Sequence, residues 1–298
     1  MIKPSKLKPG DTVGVVSPAG PVSRSDLEAG LRFLENKGFK VHVAPHVYDR
    51  REYMAGNDGD RLSDFEGMFR NPEIKAVFCS RGGYGSLRLL DRMDYELIGN
   101  NPKIIVGYSD ITALLAAIFK QTGLITFHGP MVKGFPELPD KRWQDLVRMI
   151  SSEKPISFTP MAGYSLNGGK ATGPIIGGNL SLLSQLLGTP YMPDLGGSIL
   201  FIEDRGEAPY RLDRMFTHLA LSGHLKGIKG LIAGRFTGCG DPASVQKLIE
   251  EHFKPMKIPI AAGFPLGHDP DNITFPLGIP ATLDTNVMKL SLLEPTVT

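Results

Sequence analysis

Apolar positions in the first half of the chain alternate between two rhythms. Thr12-Val13-Gly14-Val15-Val16 is a short continuous run of the kind a buried strand makes, and Ser17-Pro18-Ala19-Gly20-Pro21 ends it. Leu27, Leu31 and Leu34 then fall on one helical face, with Ser23 or Ser25 as cap and Gly38 at the end. Phe39 to Val43 predicts a strand. Leu62, Phe65 and Phe69 predict a helix closed before Pro72, and Ala76 to Cys79 a further strand. Ile104 to Gly107 predicts a fourth, feeding directly into a helix from Asp110 to about Lys120. Strand and helix in alternation argue for a parallel sheet with helices on both faces.

The rhythm breaks between Pro155 and Pro174, where Pro160, Gly163, Gly168, Gly169 and Gly173 also fall and helical periodicity is lost. This stretch is expected to be a crossing between domains. The division that follows is residues 1–160, a linker at 161–174, and a second domain at 175–298. The second part opens with Gly177-Gly178-Asn179 and an apolar helix through Leu187. It continues with a strand at Ser198 to Ile202, a helix from about Leu212 to Leu221, a strand at Gly230 to Gly234, and a tail of short strands.

Composition narrows the class. The 298 residues are 41% apolar and 21% charged, with 33 Lys and Arg against 31 Asp and Glu. A net charge of +2 gives no reason to expect a nucleic acid or an anionic membrane as partner. Cys79 and Cys239 are too few and too far apart for a disulfide framework or a zinc site, which suits a reducing cytoplasm. The charged start, Met1 to Gly10, lacks the apolar core of a secretory signal, and the apolar helical stretch Ile111 to Phe119 is too short to span a bilayer.

Four places can carry chemistry. Ser109, in Gly107-Tyr108-Ser109-Asp110, stands where a buried strand meets a helix start. Such a turn thrusts a hydroxyl into a crevice, and the following N–H, that of Asp110, can donate to an oxyanion. The same position suits a plain helix cap. Arg81-Gly82-Gly83-Tyr84-Gly85-Ser86 follows a strand, and its glycines allow a backbone to approach a ligand closely. Without the phosphate-loop spacings it reads as an oxyanion cradle, an anion loop or a tight turn. Glu203-Asp204 closes a strand, where acids are commonly solvated; Glu203 can instead orient a catalytic imidazole. Of seven histidines, His128 and His268 lie in Gly- and Pro-containing turns suited to lining a site. No His-Glu-x-x-His motif, Cys/His cluster or calcium loop is present, so no metal and no cofactor are expected. Cys79 lies inside an apolar strand as an inert thiol.

Taken in order, Arg81-Gly82-Gly83-Tyr84-Gly85, Gly107-Tyr108-Ser109-Asp110, Gly177-Gly178-Asn179-Leu180, Glu203-Asp204, Gly234-Arg235-Phe236 and Gly267-His268 resemble the LD-carboxypeptidases, from about Leu7 to the end. The resemblance implies an α/β fold: an N-terminal parallel-sheet domain resembling class I glutamine amidotransferases and a smaller, β-rich C-terminal domain. It implies a triad of Ser109, Glu203 and His268, and an oxyanion hole from backbone N–H groups of Gly82 or Gly83 and of Asp110. It further implies a cytoplasmic homodimer that cuts an L,D bond and releases D-alanine from a muropeptide, the murein tetrapeptide, during cell-wall recycling. A substrate ending in a carboxylate needs a cation, for which Arg235 after a strand end is the expectation, with Tyr84 as a second contact.

Two other readings share these residues. Microcin-immunity peptidases resemble the same family but act on a peptidyl-nucleotide and need an aromatic platform, whereas the one tryptophan, Trp143, falls in a helical segment away from the motif loops. A non-enzymatic two-domain binder of small anions would use Gly82 and Gly83 and would make no joint demand on Ser109, Glu203 and His268.

Overall fold

The structure, a computed structural model, describes residues 1–158 and 162–298. Five parallel strands form the first sheet: β1 (Thr12–Val16), β2 (Lys40–Val43), β3 (Ile74–Cys79), β4 (Ile104–Gly107) and β5 (Thr126–His128). Their crossovers are α1 (Arg24–Asn36), α2 (Asp58–Arg70), α3 (Tyr95–Asn100) and α4 (Thr112–Thr122), and α5 (Asp140–Ser151) follows. β1, β3, β4 and β5 are buried almost throughout, which is why β1, β3 and β4 read as unbroken apolar runs, whereas the edge strand β2 alternates exposed and half-buried positions. Ser23 caps α1, its side chain accepting the Asp26 N–H, and α4 ends on left-handed Gly123.

The second sheet has eight strands in the order β6-β14-β13-β8-β9-β10-β11-β7. Its centre, β8 (Lys170–Asn179), β9 (Ile199–Arg205), β10 (Gly230–Thr237) and β11 (Ile260–Ala262), is parallel. The helices α6 (Leu180–Leu186), α7 (Pro209–Leu221) and α8 (Pro242–Phe253) connect these strands. Antiparallel strands flank them: β6 (Ser157–Phe158), β7 (Tyr164–Asn167), β13 (Pro280–Asp284) and β14 (Lys289–Leu292).

The expected linker is corrected by this sheet. Residues 164–167 are β7, and β8 begins at Lys170, so most of 161–174 pairs in register with β11 and β13. Its glycines and prolines interrupt helical periodicity without preventing extended pairing, at the sheet edge in β7 and in the sheet interior in β8. Pro160 and Met161 lie outside the described residues. The division at 160 and 175 is crossed twice: β6 belongs to the second sheet, and β12 (Phe275–Leu277) returns to the first sheet antiparallel to β5. Phe275, carried on β12, meets Phe201 of β9 at 5.3 Å between ring centres, joining the two sheets through a shared apolar core.

Both sheets present the carboxyl ends of their parallel strands to one cleft. Ser109 follows β4, Asn179 ends β8, Glu203 lies near the end of β9, and His268 follows β11. In open α/β sheets this edge is where loops are free to diverge and hold a ligand.

Candidate active site

Ser109 occupies the turn between β4 and α4 with φ +61°, a left-handed conformation that costs a side-chain-bearing residue energy. A short 3₁₀ turn, Ser109–Ile111, carries it into α4. Asp110 is buried, its carboxylate accepting the Ser86 N–H at 2.9 Å while the Ser86 hydroxyl donates to the Asp110 carbonyl. Burial pushes that carboxyl above the usual carboxylate range. The strained turn is thereby tied to the glycine loop.

That loop leans on Ser109 itself. A Cβ at Gly82 would stand 3.0 Å from the Ser109 Cβ, 3.1 Å from its Oγ and 3.5 Å from the Asp110 nitrogen, so a side chain there would press on Ser109. Gly83 instead faces Gly20 of the β1–α1 turn. The Gly82 carbonyl accepts the Gly20 N–H at 3.1 Å. Buried Arg61 braces the same region, donating to the carbonyls of Pro18 and Gly85.

His268 and Glu203 meet across the second sheet. The His268 Nδ1 lies 2.9 Å from the Glu203 Oε2, and Glu203 has no exposed surface. A carboxylate only accepts, so Nδ1 carries the proton and Nε2 is left with its lone pair. Asn179 donates through its Nδ2 to the other Glu203 oxygen at 3.2 Å and to the Asp204 Oδ1 at 3.0 Å. The Asn179 N–H reaches the Thr112 hydroxyl at the start of α4, 3.1 Å away, and so links the two sheets beside Ser109. The His268 turn is pinned as well. The Gly267 N–H donates to the Asn272 Oδ1 at 3.1 Å, and a Cβ on Gly267, whose φ is +131°, would sit 2.9 Å from the Glu203 Oε2. Only glycine lets this turn approach the carboxylate so closely.

Ser109, His268, Gly82, Gly83 and Tyr108 line one cleft of about 690 Å³. The Tyr108 ring packs edge-on against the His268 ring with centres 5.0 Å apart. Behind it lies His128, fully buried, between Tyr108 and Phe201. Neither His128 ring nitrogen has a hydrogen-bond partner, and desolvation lowers its pKa to about 4, so the ring is neutral at ordinary pH.

Other expectations are corrected. Asp204 is not a solvated strand-end acid. It is buried and accepts from the Ser181 N–H and hydroxyl at 2.9 and 2.7 Å, and burial raises its pKa. Arg235 lies outside the Ser109 cleft, in a smaller hollow of about 340 Å³, because its guanidinium is drawn to Asp269 at 3.0 Å and Asp271 at 3.6 Å. Tyr84 points outward and packs on Tyr53, also away from the cleft lining. The cations that do line the cleft are Arg81, Lys133 and Arg205. Arg81 stood inside the glycine motif, and its adjacency to Gly82 was the available signal. Cys79 is buried, its thiol pushed up by desolvation. Among the described residues, one group with metal-ligand spacing occurs, His46, Asp49 and Asp60, and none of the three lines the cleft.

The fold and this cleft define a class: two α/β units, each with a parallel sheet, facing one site through their strand ends. The model of the LD-carboxypeptidase N-terminal domain matches residues 13–129, and that of the C-terminal domain residues 172–283. The chain belongs to the LD-carboxypeptidase family. It is 39% identical over 292 residues to a probable murein peptide carboxypeptidase of Bacillus subtilis, covering 95% of this chain and 92% of that one. It is 31% identical over 325 residues to the microcin C7 self-immunity protein of Escherichia coli, covering 97% and 94%. The crystal structure of a muramoyltetrapeptide carboxypeptidase from Oxalobacter formigenes superposes with a TM-score of 0.84 at 32% identity, covering 94% of this chain and 97% of that one. Among the described residues no helix is long and apolar enough to cross a membrane.

Proposed function

We propose that this protein is a serine LD-carboxypeptidase that removes terminal D-alanine from murein tetrapeptides, with Ser109 as nucleophile, His268 as base and Glu203 as the orienting carboxylate. The observation that carries the reading is the contact of His268 with fully buried Glu203 in the cleft that holds strained Ser109. His268 Nε2 takes the Ser109 proton as Oγ attacks the scissile carbonyl, and the imidazolium then protonates the departing amine of D-alanine. Water, activated by the same imidazole, releases the acyl group from Ser109. Glu203 holds the tautomer and stabilises the imidazolium. Backbone N–H groups of the Gly82–Gly83 loop and of Asp110 receive the oxyanion, each such donor contributing roughly 3–4 kcal/mol in comparable enzymes.

Murein is favoured over a peptidyl-nucleotide by the cleft lining. Among the described residues Tyr108 is its one Phe, Tyr or Trp ring, and it already packs on His268, while charged side chains of both signs face the space. Trp143 is buried in α5 against Phe33 and Phe135 and offers no platform for a base. The family resemblance further supports a cytoplasmic homodimer working in peptidoglycan recycling, which sedimentation of the purified protein and localisation in cells would check.

Purified protein is expected to release D-alanine from a murein tetrapeptide, to leave its L-alanine-ended diastereomer intact, and to label with a serine-directed probe unless Ser109 is replaced by alanine. Hydrolysis of an aminoacyl-sulfamoyl nucleoside in preference to the tetrapeptide would move the assignment to the microcin-immunity branch. No labelling and no hydrolysis would leave a binding protein.

A further inference from the structure

We infer that Arg81 binds the free α-carboxylate at the C-terminal end of the substrate, an assignment that rests on the function proposed above. A carboxypeptidase differs from an endopeptidase in requiring that charge, so its cleft must offer a cation within one residue of the nucleophile, roughly 3.6 Å of chain plus a hydrogen bond. Three cations line the cleft. The Lys133 Nζ lies 2.9 Å from the Asp26 carboxylate and is already paired. Arg205 is exposed and follows buried Asp204, with no contact that fixes its side chain among the described residues.

Arg81 alone is both oriented and unneutralised. Its Nε donates to the Gly82 carbonyl and an Nη to the Pro21 carbonyl, each at 3.2 Å, and no carboxylate is in ion-pair range among the described residues. Two contacts occupy only part of the five-donor guanidinium and fix its plane. A planar fork with free N–H groups matches a carboxylate in bidentate fashion. Arg81 lines the same cleft as Ser109, and the next residue, Gly82, leans on the Ser109 side chain.

The same two carbonyl contacts could serve only to brace the glycine loop, so the test must read the substrate's charge. Binding of a murein tetrapeptide and of its C-terminal carboxamide is measured by calorimetry on the Ser109→Ala protein, which cannot turn them over. The acid is expected to bind about 10- to 100-fold more tightly than the amide. Adding Arg81→Gln should bring the acid down to the affinity of the amide, and Arg81→Lys, which keeps the charge and loses the fork, should retain part of the preference. An equal loss for both ligands, a preference that survives Arg81→Gln, or one that collapses in Arg205→Gln instead would overturn the assignment. So would a Ser109→Ala protein that does not distinguish acid from amide. Failure of the unmodified protein to hydrolyse the tetrapeptide would refute the proposed function, whereas the charge preference is read without turnover.

Discussion

The Ser109 side of the cleft is built from backbone, and the His268 side from side chains. Ser109 is placed by a left-handed turn, a short 3₁₀ segment and a glycine loop pressed against it, all within a span from Gly82 to Thr112. His268 is placed by Glu203, itself held by Asn179, and these three groups come from three strand ends far apart in the chain. A backbone-built site is damaged by added volume. A side-chain network is damaged when one donor or acceptor changes, because Glu203 and Asn179 are buried and a lost partner leaves a buried polar group unpaired.

The comparison can be broken most sharply at Glu203. Glu203→Gln should leave the fold intact and lower kcat by a factor on the order of 10²–10⁴, since the amide can present N–H to the imidazole and removes the charge that stabilises the imidazolium. Asp204→Asn should act differently. Asp204 braces Ser181 and Asn179, so its amide variant should lower the melting temperature as well as activity. Steady-state kinetics and thermal melts on the two variants check this. Equal kinetic loss with unchanged melts for both would remove Glu203 from its role.

On the backbone side, Gly82→Ala should reduce kcat by about 10- to 100-fold with little change in KM, because the new methyl displaces the Ser109 side chain by a fraction of an ångström. Unchanged kcat would show that the loop yields freely and does not fix the nucleophile.

His128 tests what lies behind both sides. Unfolded, the ring takes up a proton near pH 6.5; folded, only near pH 4. Between these values the unfolded chain holds more protons, so the stability contributed here is complete above pH 6.5 and is lost as pH falls toward 4, by up to about 3 kcal/mol. His128→Phe removes both unpartnered nitrogens. It should be at least as stable as the parent at pH 7 and should lose less stability in melts at pH 4.5. An unchanged pH dependence would mean the ring does not titrate as described.

The smallest effect on stability is expected at Ser109. Ser109→Gly should relieve the left-handed backbone and raise stability by about 1 kcal/mol while abolishing turnover. A variant that melts lower than the parent would show that the hydroxyl contributes more to the turn than the strain costs.

The amino-acid sequence by itself determined the elements whose signals are local. Unbroken apolar runs gave β1, β3 and β4, three-and-four spacing gave α1 and α2, and the meeting of strand and helix singled out Ser109, because strand burial, helix periodicity and capping are decided within a few residues. The motif order also carried the family. Only the tertiary structure decided that the glycine- and proline-rich stretch after Pro155 pairs as strand, because extended pairing depends on partners far away in the chain, β7 on β11 and β8 on β13. It alone decided that Glu203 turns inward to His268 while Asp204 is taken by Ser181. Two adjacent acids are the same to local propensity and differ only in which face of the sheet edge each meets. It also set Arg235 outside the Ser109 cleft and Arg81 in its lining. Charge in a sequence has no direction until folding fixes its neighbours, and Asp269 and Asp271 hold Arg235 while Arg81 has only carbonyls to orient it.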